Sequence, residues 1–244
     1  MTASVNQAAW RAQRLKRKQE APGGTGDLDD FPTPPHATRA FCDLILTKML
    51  GIDLSREHAW EPAANRGHMV RPLREYFASV VASDVYDYGA GFDVFDFLAP
   101  GGGGLLKQSV PDYSAAAQWI VSNPPFKTLN RWIVTAEEFG GNFALMCRLQ
   151  ALETMERNAI FAKLRPHLFF AQYVDRVTMV EGKIVRRTDT GSNTATAYGW
   201  LVFVRDRAFN IYIGDGEPFA SLVTMPMVFI PPCRKFYERD EDYR

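Results

Sequence analysis

The sequence predicts an α/β domain built on a mostly parallel sheet with helices on both faces. Three observations carry that expectation. Short strand-like runs alternate with stretches of helical periodicity over the first two-thirds of the chain. The central runs, such as Trp119–Val121 and Phe143–Cys147, are apolar at successive positions, as strands covered on both faces require. The chain has 244 residues, 46% of them hydrophobic and 23% charged, enough for one sizeable core and too few for a large second domain.

The elements follow in order. Residues 1–29 read as a flexible basic arm: AAWRAQRLKRKQE carries Arg11, Arg14, Lys16, Arg17 and Lys18, and the glycines of APGGTG end it before Asp27, Asp29 and Asp30. A solvated tail and an arm on DNA phosphates both remain open. After Pro34-Pro35, a helix is expected over 36–50, with Phe41, Leu44, Ile45 and Met49 at helical spacing and Gly51 as its stop. His58–Glu61 reads as a strand running into Pro62, followed by a helix of about ten residues through Met69, Leu73 and Phe77. Ser79–Ser83 is a strand ending at Asp84, and Asp93–Leu98 alternates before the Gly101–Gly104 loop. Trp119–Ser122 is a strand stopped by Asn123-Pro124-Pro125. A helix over 127–139, a strand at Phe143–Cys147 and a helix over 150–163 come next. Leu168–Tyr173, Trp200–Val204 and Ile211–Ile213 complete the strand-like segments. The domain is expected to span 30–215, with a hairpin and polar loop over 174–197, and 216–244 is expected as a C-terminal extension.

Composition excludes several classes. Lys plus Arg and Asp plus Glu both number 28, so the formal net charge is zero and a uniformly basic nucleic-acid coat is disfavoured; local basic patches are not. Cys42, Cys147 and Cys233 are odd in number and far apart, which suggests neither a disulfide framework nor a zinc site. His36, His58, His68 and His167 are scattered, and no metal is expected. The chain has no apolar run of about 20 residues and no secretory signal at its start, so no membrane partner and a cytoplasmic location are expected.

Open α/β sheets bind ligands beyond the carboxyl ends of their strands, and the informative residues stand there. Glu61-Pro62-Ala63-Ala64-Asn65-Arg66-Gly67 leads from a strand through small residues towards a helix, which lets backbone approach a nucleoside closely; a plain strand–helix turn is the alternative. Asn65 stands where such loops usually carry a glycine, and Asn tolerates positive φ better than other residues with a side chain. Asp84, about twenty residues on, ends the next strand and can accept from ribose hydroxyls, or serve as a helix cap. Asp96 and Phe97 pair a carboxylate with an aromatic ring that could cover an adenine, or simply add to core and surface. Asn123-Pro124-Pro125-Phe126 is the sharpest signal. Two prolines remove donors and fix φ, Asn123 adds a side-chain carbonyl, and Phe126 offers a ring on which a planar base can stack.

This combination resembles the S-adenosylmethionine-dependent N6-adenine DNA methyltransferases, whose catalytic motif is Asn-Pro-Pro-Phe. EPAANRG is similar to their cofactor loop, and FPTPPHATRAF to the segment that closes over the methionine end. The resemblance covers roughly 30–205, has the gamma-like motif order, and is strongest to small enzymes of phage and prophage origin. It implies a Rossmann-like class I methyltransferase fold with a mostly parallel seven-stranded sheet. It implies S-adenosylmethionine at Thr33, Pro34, His36, Glu61, Pro62, Ala63, Gly67, Asp84, Asp96, Phe97 and Asn123. It also implies catalysis by Asn123, Pro124, Pro125 and Phe126: the Asn123 oxygen and the Pro124 carbonyl accept from the target amine and turn its lone pair to the methyl group.

The adenine must leave the duplex, and Phe126 would stack on it. Tyr198 and Trp200 are candidates for the opposite wall, or core aromatics. Arg176, Arg186 and Arg187, in a basic stretch, are expected at DNA. Two alternatives stay open: methyl transfer to RNA adenine or to a protein glutamine, and a catalytically degenerate nucleic-acid-binding module.

Overall fold

The computed structural model describes residues 29–99, 117–186, 188, 196–209 and 225–243. Helix α1 begins as Pro35–Ala40 and continues with π-type turns over Phe41–Met49. Strand β1 (His58–Glu61), helix α2 (Val70–Leu73), β2 (Ser79–Asp84), β3 (Asp93–Val94) and β4 (Trp119–Ser122) follow. Then come α3 (Leu129–Glu138), β5 (Asn142–Arg148), α4 (Met155–Leu164), β6 (Leu168–Tyr173), β7 (Tyr198–Phe203), β8 (Met227–Ile230) and the short α5 (Arg234–Tyr237).

The strands form one sheet in the order β3-β2-β1-β4-β5-β7-β6-β8. All neighbours run parallel except β7, which is antiparallel to both β5 and β6. Strand alternation divides the core. Trp119, Val121, Met146, Trp200 and Val202 pack with Phe41 and Leu46 of the α1 layer. Ile120, Phe143, Leu145, Leu201 and Phe203 pack with Trp132 and Ile133 of α3 and Phe161 of α4. That is the α/β architecture expected, with an eighth strand beyond the seven.

Three local differences have physical causes. The helix expected through Phe77 is only Val70–Leu73, because Asn65 (φ 49°) and Gly67 (φ 79°) hold the preceding residues in turns. Helix α4 starts at Met155 because Thr154 caps it, its side chain accepting from Arg157 N–H at 3.3 Å. The segment expected as a C-terminal extension supplies β8, which pairs parallel with β6, and a clasp on α1. In that clasp Arg39, 3% exposed, donates to both carboxylate oxygens of Asp242 at 2.8 Å, to Glu75 at 2.8–3.0 Å and to the Tyr237 carbonyl at 2.9 Å. Ile211–Ile213 and Gly101–Gly104 lie outside the described residues. Among the described residues no helix is long and apolar enough to cross a membrane, and no His, Cys, Asp or Glu cluster could hold a metal ion. The three cysteines are buried free thiols.

Candidate active site

The strand order reverses between β1 and β4, and a crevice opens beyond their carboxyl ends. Glu61 closes β1 as a fully buried carboxyl group. Its Oε1 accepts from Ser122 Oγ at 2.6 Å and from Ala63 N–H at 2.9 Å, while Oε2 finds no partner among the described residues. Burial lifts the Glu61 pKa to about 8; the Ser122 and Ala63 bonds oppose the rise and the Asp84 charge adds to it.

The folded protein therefore keeps this proton after the unfolded chain has released its own. Glu61 should lower stability by up to about 1.4 kcal/mol per pH unit as pH rises from roughly 5 to 8. Denaturant titrations should show the slope in the wild-type chain and its loss between about pH 6 and 8 in Glu61→Gln, Asp84 contributing to the slope below that.

The loop after β1 turns on two left-handed residues. Asn65 takes the positive φ that its short amide allows. Its N–H donates to Asp84 Oδ2 at 2.8 Å, its Oδ1 accepts from Arg66 N–H at 2.7 Å, and its Nδ2 donates to Asp30 Oδ1 at 2.8 Å. At Gly67 a Cβ would stand 2.9 Å from the Phe92 ring. Asp84 thus shapes the loop, and its Oδ1 also accepts from Tyr86 N–H at 3.0 Å; burial raises its pKa to about 6 against these bonds.

Asn123 follows β4. Its Nδ2 donates to the Phe31 carbonyl at 2.9 Å and lies 3.7 Å from the Met179 sulfur. These contacts fix the amide, and Oδ1 is left buried with no partner among the described residues. Phe126 N–H donates to Asp29 Oδ2 at 3.0 Å. The Pro125 carbonyl accepts from Thr128 N–H at 3.1 Å, because the chain turns at once into a 3-10 helix over Phe126–Thr128. The Phe126 ring lies 6.0 Å from Tyr198, 6.3 Å from Phe31 and 4.2 Å beneath the Arg148 guanidinium.

A cavity of about 270 Å³ joins these parts, and among its lining residues are Thr33, Glu61, Pro62, Ala63, Asp84, Asp96 and Asn123 of those expected at a cofactor. Pro125 lines it as well, whereas Pro34, His36, Gly67, Phe97, Pro124 and Phe126 do not.

Three of the expected residues lie away from the cavity, and for Phe97 and Trp200 the core alternative holds. Phe97 is buried against Trp132 (4.4 Å) and Trp60 (5.5 Å), so Leu98 is the apolar residue that faces the cavity beside Asp96. His36 lies in a second cavity with Arg176 and Arg234, where burial first and the Arg234 charge second lower its pKa to about 4. Trp200 is core: it stacks on Phe41 at 4.2 Å and donates to Tyr173 Oη at 2.6 Å, because every second residue of β7 points to the α1 layer. Tyr198 shares that face at the strand's first position, where its ring also reaches Phe126.

Arg186 stacks over Tyr243 at 4.7 Å, and Arg187 lies outside the described residues. Val180 and Lys183 pair antiparallel around Gly182 (φ 79°), whose N–H donates to the Asp30 carbonyl at 2.7 Å. Phe31, Leu98, Arg131 and Arg148 were not singled out by the sequence; only proximity in the fold reveals them.

No family model and no curated protein sequence matches the chain. Solved structures do. A protein assigned as a class I S-adenosylmethionine-dependent methyltransferase from Listeria monocytogenes superposes with a TM-score of 0.51 at 10% identity, over 85% of this chain and 68% of that one. The fold is that of the class I methyltransferases. The methyltransferase subunit of a type I restriction-modification system from Streptococcus thermophilus gives 0.50 at 9% identity, over 73% of this chain and 45% of that one. The type IIG restriction endonuclease BpuSI gives 0.50 at 13% identity, over 78% of this chain and 27% of that one. This chain therefore spans less than half the length of these two proteins.

Proposed function

We propose that this chain transfers a methyl group from S-adenosylmethionine to the N6 amine of an adenine flipped out of DNA. The observation that carries the reading is Asn123: its Nδ2 is anchored, its Oδ1 is a buried acceptor without a partner, and the residue lines the cavity. The cavity fits the cofactor's chemistry. Glu61 offers an unpartnered carboxyl oxygen, Asp96 a second carboxyl group, Ala63 and Ala64 a close-approach surface, and Leu98 an apolar one.

When bound, S-adenosylmethionine supplies an electrophilic methyl group on a sulfonium centre. The protein's part is to place the amine. An adenine N6 lone pair is delocalised into its ring; Asn123 Oδ1 accepts one N–H and favours the pyramidal nitrogen that attack needs. Held this way, the nitrogen would take the methyl group as the cofactor leaves as a neutral thioether, and the surplus amine proton would pass to solvent. Phe126 supplies an aromatic surface for the extruded base, which offsets part of the few kcal/mol that flipping costs. The occurrence of this fold in restriction-modification proteins supports DNA as the substrate. The catalytic unit in this reading runs from Asp29 and takes in β8 and the α1 clasp beyond 215, with a basic arm before it and the hairpin within 174–197 facing DNA.

Labelled methyl transfer to duplex DNA, single-stranded DNA and RNA tests the proposal. The expected product is N6-methyladenine in digests of the DNA. Label confined to RNA or to protein would overturn it.

A further inference from the structure

Arg148 stands at the carboxyl end of β5, directly opposite Tyr198 in the β5–β7 register. Its guanidinium covers the Phe126 ring at 4.2 Å, and its Nε is buried without a partner among the described residues. Other half-buried arginines nearby are tied down: Arg157 donates to Asn130 Oδ1 at 2.7 Å and to the Ala151 carbonyl at 3.1 Å, and Arg66 donates to Asp30 at 2.8 Å. Arg148 spends its charge on an aromatic face at the mouth of the proposed target site. A cation held there with an unused donor points to an anionic ligand that completes the site.

We propose that Arg148 binds the phosphodiester of the target nucleotide and, in doing so, gives up the Phe126 ring to the incoming base. The inference rests on the nucleic-acid reading above. Asn123 and Arg148 follow and end the paired strands β4 and β5, so a base stacked on Phe126 with its amine at Asn123 would lie on the same carboxyl side of the sheet as the Arg148 guanidinium. The planar guanidinium matches two phosphate oxygens, and its position on the ring in the free protein keeps the platform covered until a base replaces it. Arg148 is thus a residue for the target strand, separate from the cofactor cavity, which it does not line.

The test uses a single-stranded oligonucleotide with one adenine in a thymine tract. Two copies carry a neutral methylphosphonate at the linkage 5′ or 3′ of that adenine. The wild-type chain should bind one neutral copy roughly tenfold more weakly than the parent. Arg148→Ala should bind the parent as weakly as the wild type binds that copy, lose nothing further on it, and show a salt dependence lower by about one phosphate contact. Arg148→Lys, which keeps charge without the planar fork, should fall between. S-adenosylmethionine binding should stay at wild-type values in both variants.

Equal sensitivity of Arg148→Ala and wild type to the neutral linkage would overturn the proposal, as would wild-type indifference to both linkages. If wild type binds and methylates the oligonucleotide and Arg148→Ala does so equally well, the role of Arg148 fails and the methyl-transfer reading stands. If wild type binds the cofactor but neither this oligonucleotide nor its duplex, both fail.

Discussion

Asn123→Ala should lower methyl transfer to DNA by about 10²–10³-fold, the loss seen when one preorganised hydrogen-bonding group is removed from a reacting centre. The expected split is informative. The rate at saturation should carry the loss, because Oδ1 acts on the amine as it becomes tetrahedral, while S-adenosylmethionine affinity should change less than about threefold. Asn123→Asp makes the sharper comparison. It keeps an acceptor at Oδ1 but replaces the donor that bonds the Phe31 carbonyl at 2.9 Å with a second oxygen. Oxygen against oxygen cannot hold that contact, so the side chain turns away and transfer should fall nearly as far. Single-turnover assays with labelled cofactor separate the two variants from wild type; full activity in Asn123→Ala would remove this residue from the reaction.

Replacing Arg39 is expected to have the largest effect on stability. Its guanidinium sits between Asp242 and Glu75, and it also donates to the Tyr237 carbonyl. Arg39→Met keeps the bulk of the side chain and strands the buried Asp242 carboxylate. The cost of breaking a buried pair in this way is about 3–5 kcal/mol. For a domain of this length that corresponds to a thermal midpoint lower by about 6–20 °C. Adding Asp242→Asn to Arg39→Met removes the stranded charge and should recover part of the loss. A double variant no more stable than Arg39→Met would show that the damage is in packing rather than charge.

Much of this arrangement was legible because the decisive residues sit at strand ends, where local sequence and function coincide. Trp119–Val121 followed by Asn123-Pro124-Pro125 can hardly be anything except a buried strand that stops abruptly. Glu61-Pro62 ahead of small residues has the same character, and even Asn65 announced its left-handed turn by its residue type. Direction was harder to read. Phe97 follows a strand of only two residues, too short a run to fix which way its ring points, and it went into the core. Trp200 lies two residues after Tyr198, so both side chains point to one face. Only Tyr198, at the strand's end, stays near the catalytic loop.

His36, the second residue of α1, faces a different cavity from the one that Thr33 lines. What no local pattern encodes is contact across long separations. Asp30 reaches Asn65, Arg66 and Gly182; Arg148 reaches Phe126; and β8 joins β6 from beyond residue 225. Those pairings depend on the sheet order, which only the assembled chain sets.

The distance along the chain between Arg39 and Asp242 has a consequence for synthesis. The partners are 203 residues apart. At 5–20 residues per second the ribosome needs about 10–40 s to deliver the second after the first. During that interval the α1 guanidinium has only Glu75, 36 residues on, as a charged partner. The clasp thus makes the full set of α1 contacts depend on residues synthesised after β8.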